Sequence, residues 1–173
     1  RYPEQGERFV AATNHFCAEC LFPYQTTMPD TIHSHKRLEM LEQALRCRPF
    51  LIKPNREELA QAVGRAVNTE AETEQAAREL QARGARNVLV SCGGDGALLL
   101  EESGAVHCAA APRGTVVNSV GAGDSMLAGF VAGWLQSGSF ASALRLGIAC
   151  GSATAFSLGL AGRSQIDALL AQI

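Results

Sequence analysis

Residues 116–126 read VVNSVGAGDSM, and this stretch decides how the chain folds. The two valines predict a short strand, and the small residues after them predict a tight loop. Five apolar residues then follow at helical spacing: Leu127, Phe130, Val131, Trp134 and Leu135. The loop therefore opens an amphipathic helix, whose end is predicted at Gly138. A strand that runs through a small-residue loop into a helix is typical of a phosphate-binding site.

Asp124 falls in the predicted first turn of this helix. The unpaired N–H groups and the dipole of a helix N-terminus favour negative charge, and Gly121, Ala122 and Gly123 let the backbone approach a phosphate closely. A carboxylate beside a bound phosphate is placed to accept the proton of an attacking hydroxyl. The alternative is that Asp124 only caps the helix, and the eleven-residue context favours the catalytic interpretation.

Regular elements are predicted on both sides of this stretch. Two capping-box pairs, Asn55 with Glu58 and Thr69 with Glu72, predict helix starts, and Ser164 predicts the cap of the last helix. Apolar spacing predicts further helices over 38–45 and about 139–157, and strands over 50–52, 88–90, 97–100 and 106–108. Alternating strands and helices predict an α/β fold, in which helices cover a sheet.

The composition is that of a globular protein. The chain has 173 residues, of which 47% are hydrophobic and 18% charged, with a net charge of -2. This charge argues against a nucleic-acid partner or an anionic membrane, and no apolar run is long enough to cross a bilayer. The start at Arg1, without Met or a signal peptide, is consistent with a processed or cloned piece of a longer protein.

The six cysteines are interpreted as buried free thiols of a cytoplasmic protein. The first thirty-five residues allow a rival hypothesis, since they contain a CxxC (Cys17 and Cys20), His15 before it, and His33-x-His35 beyond. Such a set could bind zinc in an interaction module, although the usual histidine spacing is absent. We therefore predict an unassigned segment over residues 1–35 and a regular part over 36–173.

The run NSVGAGD at 118–124, followed by AGFV at 128–131, resembles the second signature of the ribokinase-like (pfkB) carbohydrate kinases. The Walker A pattern, GxxxxGK followed by Ser or Thr, does not occur. The resemblance covers about residues 36–173, the C-terminal half of the family's domain. It implies a three-layer α/β sandwich with a mostly parallel central sheet, truncated at its N-terminal side. The family's Gly-Gly-x-Asn sugar signature and small β lid are not in this sequence.

The resemblance also implies roles for individual residues. Gly121, Ala122 and Gly123 correspond to the anion hole, and Asp124 corresponds to the catalytic base. Asn55 and Glu58 correspond to a motif that organises magnesium through water. The residues that correspond to the family's ATP contacts are Lys53, Asn55, Ser91, Gly93, Gly94, Asp95, Gly96, Gly123 and, on the helix beside the adenine, Ala149.

Some members of the family also bind a monovalent cation such as potassium. The corresponding positions here are Asn118, Val120, Thr154, Ser157 and Gly159. Ser157 departs from the asparagine that the resemblance leads us to expect.

The resemblance implies ATP-dependent transfer of a phosphoryl group to a hydroxyl of a sugar phosphate. The expected substrate is fructose 1-phosphate or fructose 6-phosphate, and the expected product is fructose 1,6-bisphosphate. Expected partners are this small molecule and, in a homo-oligomer, further copies of the chain. We expect the chain alone to have negligible activity, because the residues that orient the sugar are missing. The remaining alternative is a nucleotide-binding remnant without catalysis.

Overall fold

The computed structural model describes residues 30–173, with side chains from residue 38 onward. Two compact units divide between Val88 and Leu89. That division falls inside strand β2, which runs over Asn87–Ser91.

The first unit contains helices α1 (Asp30–Arg46), α2 (Arg56–Val63) and α3 (Glu70–Ala82), with strand β1 (Leu51–Ile52). Strand β1 pairs in parallel with the start of β2. The core of this unit is aliphatic, and its most deeply buried large side chains are Leu45, Leu59, Leu80 and Val88. Burial of these side chains is the main source of its stability.

Both predicted capping boxes are confirmed. The Glu58 N–H donates to Asn55 Oδ1 at 2.8 Å, and the Asn55 N–H donates to Glu58 Oε2 at 2.9 Å. Thr69 and Glu72 make the same reciprocal pair at the start of α3. Helix α1 begins at Asp30 and so crosses the predicted division at residue 36. The helix therefore starts before the leucines over 38–45 that predicted it. Helical hydrogen bonds form between backbone groups and do not require an apolar stripe.

The second unit contains the rest of β2, strands β3 (Ala97–Leu100) and β4 (Val106–Ala109), and helices α4 (Ala122–Ser137), α5 (Phe140–Ala155) and α6 (Arg163–Leu170). Strands β3 and β4 form the predicted antiparallel hairpin. The strand order is β1-β2-β3-β4, so the described sheet is mixed, parallel at β1–β2 and antiparallel at β3–β4.

Helix α4 buries only part of the predicted stripe, in which Phe130 is the most deeply buried residue. Its buried residues are Met126, Gly129, Phe130 and Gly133, whereas Leu135 is 68% exposed. The two glycines lie against helix α5, where a Cβ on Gly129 would stand 2.6 Å from Cys150 Sγ. Close contact through small residues, rather than a stripe of large ones, therefore determines which side of α4 faces the protein.

Two further predictions are corrected. Val116 and Val117 form no strand and are more than half exposed, because the Val117 N–H donates to the Ala155 carbonyl rather than to a neighbouring strand. Gly162, not Ser164, precedes the first residue of α6, and its N–H donates to Gln165 Oε1 at 2.9 Å.

The four cysteines that the structure describes are free, as expected, but none is fully buried. Cys47 and Cys108 are exposed because they lie at a helix end and on the outer side of a hairpin strand. Cys17 and Cys20, which carry the zinc hypothesis, lie outside the described residues. Within residues 30–173, no helix is both long and apolar enough to cross a bilayer.

Candidate functional site

The N-terminus of helix α4 has the geometry that the glycine loop predicts. Gly121 precedes the helix with φ of 80°, a left-handed conformation that favours glycine. The Ser125 N–H donates to the Gly121 carbonyl at 2.9 Å, which closes the first turn. Asp124 is the third residue of the helix and is exposed. Asp124 therefore lies in the first turn of the helix, where the helix dipole favours negative charge.

The loop before this helix is held by the end of helix α5. The carbonyl oxygen of Ala155 accepts hydrogen bonds from the Val117 N–H at 2.8 Å and the Asn118 N–H at 3.1 Å. The Asn118 side chain accepts from the Val120 N–H at 3.0 Å and donates to the Leu158 carbonyl at 3.4 Å. These bonds join the loop before α4 to the loop after α5, so the two loops are positioned together.

A side-chain bond from α5 also reaches α4, and sequence reasoning did not find it. The hydroxyl of the buried Thr154 donates to Ser125 Oγ at 2.9 Å. Only the docking of the two helices brings these residues together, since they are 29 positions apart in the sequence. Thr154 was assigned from the resemblance to a cation site and not to this bond.

The predicted cation residues lie on these two loops and the end of α5, but their side chains are already engaged. Asn118 Oδ1, Thr154 Oγ1 and Ser157 Oγ each accept a hydrogen bond from within the chain. Each of these oxygens still has a second lone pair, so these hydrogen bonds do not exclude a potassium ion. The backbone carbonyl oxygens of Val120 and Gly159 are further candidate ligands.

The predicted nucleotide loop is a tight turn after β2. The Cys92 N–H donates to the Gly96 carbonyl at 2.8 Å, and residues 93–95 form one turn of 3₁₀ helix. Gly96 has φ of 99°, and a Cβ there would stand 2.0 Å from the Ala109 carbonyl oxygen. Gly96 is therefore required by packing against the end of β4. A Cβ on Gly94 would meet nothing within 4 Å, so its backbone is open to a ligand.

Helix α5 does not present all of the expected nucleotide contacts. Ala149 is completely buried and offers no surface to a nucleotide. Two residues near the end of α5, Ser152 and Ala155, are partly exposed. This end of α5 also holds the loop before α4. Burial raises the pKa of the adjacent Cys150 thiol, which keeps it protonated near neutral pH and argues against a nucleophilic role.

The remaining predicted residues, Lys53, Asn55 and Glu58, lie in the first unit. Lys53 is partly exposed directly after β1, and the other two residues form the capping box of α2. The capping box uses Glu58 Oε2 and leaves Oε1 for a water molecule. Carboxylate and amide oxygens can accept hydrogen bonds from the water molecules that coordinate Mg²⁺. These residues therefore fit a magnesium ion held through water.

Large apolar side chains surround the start of α4 on the surface. Val120 is 79% exposed and Leu158 is 88% exposed, and a Cβ on Gly121 would lie 3.7 Å from the side chain of Leu160. We call the following five exposed residues the apolar rim: Val116, Val117, Val120, Leu158 and Leu160.

The chain is similar to known proteins at the level of family, sequence and structure. The family described as pfkB family carbohydrate kinase matches residues 10–166. The 1-phosphofructokinase of Bacillus subtilis is 44% identical over 135 residues, and so is the D-tagatose-1-phosphate kinase of Bacillus licheniformis. Each of these alignments covers 78% of this chain but 44% of the relative. The chain thus spans less than half the length of the curated relatives it matches.

Solved structures show the same partial likeness. A proposed phosphofructokinase from Staphylococcus aureus aligns with a TM-score of 0.74 and 41% identity, over 78% of this chain and 44% of the other. Phosphofructokinase-2 of Escherichia coli in complex with potassium aligns with a TM-score of 0.71 and 31% identity, over the same shares. The fold is therefore ribokinase-like α/β, with less than half of the neighbours' chains represented.

Proposed function

The chain belongs to the pfkB family of carbohydrate kinases, and on that premise we propose that it carries the phosphoryl-transfer half of an ATP-dependent sugar-phosphate kinase. The observation that supports this most directly is the start of helix α4. Gly121 precedes the helix in a left-handed conformation, and the exposed Asp124 lies in the first turn of the helix.

The chain's own groups would act mainly by electrostatics and positioning. The backbone N–H groups of Gly121 and Gly123 would stabilise the negative charge on the oxygens of the transferring phosphoryl group, whereas the third predicted member of the anion hole, Ala122, already donates its N–H to the Ser119 carbonyl at 3.2 Å. Asp124 accepts the proton of the sugar hydroxyl as that oxygen attacks phosphorus. The new bond joins the sugar oxygen to phosphorus, the bond to the bridging oxygen breaks, and ADP leaves with the electron pair.

The family resemblance also implies roles for three residues near the start of α2. Lys53 would neutralise nucleotide phosphate charge, and Asn55 and Glu58 would hold magnesium through water. When bound, the magnesium ion neutralises charge on the phosphate oxygens. Potassium would bind through the carbonyls near Val120 and Gly159, and the likeness to the potassium complex of phosphofructokinase-2 supports this weaker part of the proposal.

For the acceptor we propose a ketohexose 1-phosphate such as fructose 1-phosphate. Relatives at 44% identity are a 1-phosphofructokinase and a D-tagatose-1-phosphate kinase, and both names specify a phosphate on carbon 1. Fructose 6-phosphate is the second candidate, supported by the likeness to phosphofructokinase-2 of Escherichia coli in complex with fructose-6-phosphate. A kinase of metabolites such as these is expected to work in the cytoplasm.

The test is a chimera, since the chain alone is expected to lack the sugar-orienting residues. The N-terminal part of Bacillus subtilis 1-phosphofructokinase, up to the position that corresponds to Asp30, is joined to residues 30–173, so that helix α1 stays intact. ATP affinity and turnover are then measured with magnesium and either fructose 1-phosphate or fructose 6-phosphate. We expect ATP-dependent turnover, with fructose 1-phosphate preferred.

The outcomes separate the alternatives. A folded chimera that binds ATP without turnover would support a nucleotide-binding remnant, whereas one that does not bind ATP would contradict the proposed function. Turnover by the 173-residue chain alone would show that residues 1–35 supply more than we expect. Zinc in the purified chain, lost in a Cys17→Ser, Cys20→Ser variant that still binds ATP, would identify a separate metal site.

A further inference from the structure

Thr154 is a buried polar residue whose hydrogen bonds lead to the candidate site. It is 3% exposed, so its hydroxyl needs partners within the protein. The hydroxyl donates to Ser125 Oγ at 2.9 Å and accepts from the Ala161 N–H at 3.5 Å. One side chain on α5 is therefore bonded both to the start of α4 and to the loop before α6.

Ser125 connects this side chain to the catalytic turn. It is the neighbour of Asp124, and its own N–H bonds to the Gly121 carbonyl at 2.9 Å. Ser125 is thus held at both its main chain and its side chain. A shift of its side chain would turn the first residues of α4, and with them the direction of the first-turn amides and of the Asp124 carboxylate.

The main chain beside Thr154 holds the other side of the loop. The carbonyl of Ala155 accepts the N–H groups of Val117 and Asn118. Two adjacent residues at the end of α5 therefore bind the glycine loop from before and after its glycines. The backbone bonds do not depend on residue type, whereas the bond to Ser125 requires a hydroxyl at position 154.

We propose that Thr154 is a positioning residue that fixes the first turn of α4 through Ser125, so that the amides and Asp124 are aligned before nucleotide binds. This role rests on the proposed function of that turn. It also differs from the cation role that the family resemblance implies for the same residue. If the first turn is already ordered, nucleotide binding does not have to provide the free energy that orders it. The affinity for nucleotide is then higher.

The test uses the 173-residue chain and two readouts. Thr154→Val has nearly the same shape but no hydroxyl, and we expect its affinity for ATP with magnesium, measured by calorimetry, to fall about two- to tenfold. We also expect faster hydrogen exchange at the amides of Ser125 and Ala161. Thr154→Ser restores the hydroxyl and is expected to restore both values.

Thr73→Val is the matched control, because Thr73 is equally buried and its hydroxyl bonds within α3 to the Thr69 carbonyl at 2.8 Å. It should lower stability without changing ATP affinity. Ser125→Ala removes the acceptor and leaves Thr154 in place, so it serves if Thr154→Val does not fold. We expect it to weaken ATP binding to a similar extent.

Wild-type ATP affinity in Thr154→Val or in Ser125→Ala would overturn the inference and leave the proposed function intact. A Thr73→Val variant that weakens ATP equally would also overturn it, because general destabilisation would then explain the loss. A folded wild-type chain that does not bind ATP would overturn the proposed function and the role of Thr154 together.

Discussion

A Cβ on Gly147 would stand 2.9 Å from the carbonyl oxygen of Met126, so helices α4 and α5 touch through their backbones. Glycines lie four positions apart on each helix, at 129 and 133 on α4 and at 147 and 151 on α5. A Cβ on Gly151 would lie 3.0 Å from the carbonyl oxygen of Ala122, the first residue of α4. Backbone contact between these helices therefore also positions the start of α4.

Gly147→Ala is expected to destabilise the chain. The new methyl group would clash with a backbone oxygen that cannot move alone, at a cost of about 1–3 kcal/mol, and better helix propensity would offset up to about 1 kcal/mol. We expect a net loss of about 1–2 kcal/mol in the free energy of unfolding, measured with urea. Arg145→Ala, an exposed change on the same helix, is the control. Equal stability of the two variants would contradict close helix contact.

Asp124→Asn in the chimera should lower turnover by roughly 10²–10⁴, because the side-chain amide of asparagine cannot accept the proton of the sugar hydroxyl. The affinity for ATP should change little, since the anion-binding amides are unaltered. Turnover is measured with fructose 1-phosphate and affinity by calorimetry. Near-normal turnover would remove Asp124 as the base and leave it as a helix-terminal residue.

Gly94→Val should weaken ATP binding without unfolding the chain. The structure leaves room for the side chain, since a Cβ on Gly94 meets nothing within 4 Å, but the branched side chain would occupy the space that a phosphate needs. Calorimetry gives the affinity, and circular dichroism verifies the fold. Gly162→Val, at an exposed extended glycine before α6, is the matched control. Unchanged affinity in a folded Gly94→Val variant would reduce the loop to an ordinary turn.

Glu72 should make stability depend on pH. Hydrogen bonds from the Asn68 and Thr69 backbone amides hold the pKa of Glu72 below its ordinary value of 4.5. Its contribution is therefore fully present above about pH 4.5 and is lost as the pH falls through the lower folded-state pKa.

Urea midpoints between about pH 7 and pH 3 provide the measurement for this prediction. In Glu72→Gln the acidic part of the profile should be flatter than in the wild type. Glu70→Gln, which also removes one carboxylate from the first turn of α3, is the control. A Glu72→Gln profile identical to that of the wild type would refute the assignment.

The apolar rim should promote self-association of the chain. Its residues lie on two loops that are joined by the hydrogen bond from the Asn118 side chain to the Leu158 carbonyl, and neighbouring exposed apolar side chains favour association. The double change Val120→Ser, Leu158→Ser should lower the mean mass measured by light scattering at high concentration. Leu135→Ser, at a separate exposed leucine near the end of α4, should have a smaller effect. An equal effect of the two variants would show that the rim is not the contact surface.

Much of this protein could be predicted from its sequence because the deciding interactions are local. The capping boxes at Asn55 and Thr69 join residues three positions apart, and the end of α4 at Gly138 depends on one left-handed residue. The left-handed conformation of Gly121 before α4 is local in the same sense. Residues within one turn are held near each other by the chain itself, so residue type and spacing suffice.

Only the tertiary structure decided the interactions between distant segments. The spacing on α4 predicted a stripe of large residues, but docking on the glycines of α5 buried Gly129 and Gly133 and exposed Leu135. The β-branched side chain of Val117 predicts a strand, but its N–H donates to the Ala155 carbonyl on another element. The bond between Thr154 and Ser125 likewise exists because two helices meet. Such contacts depend on how whole elements pack, which single-residue preferences and short spacings do not specify.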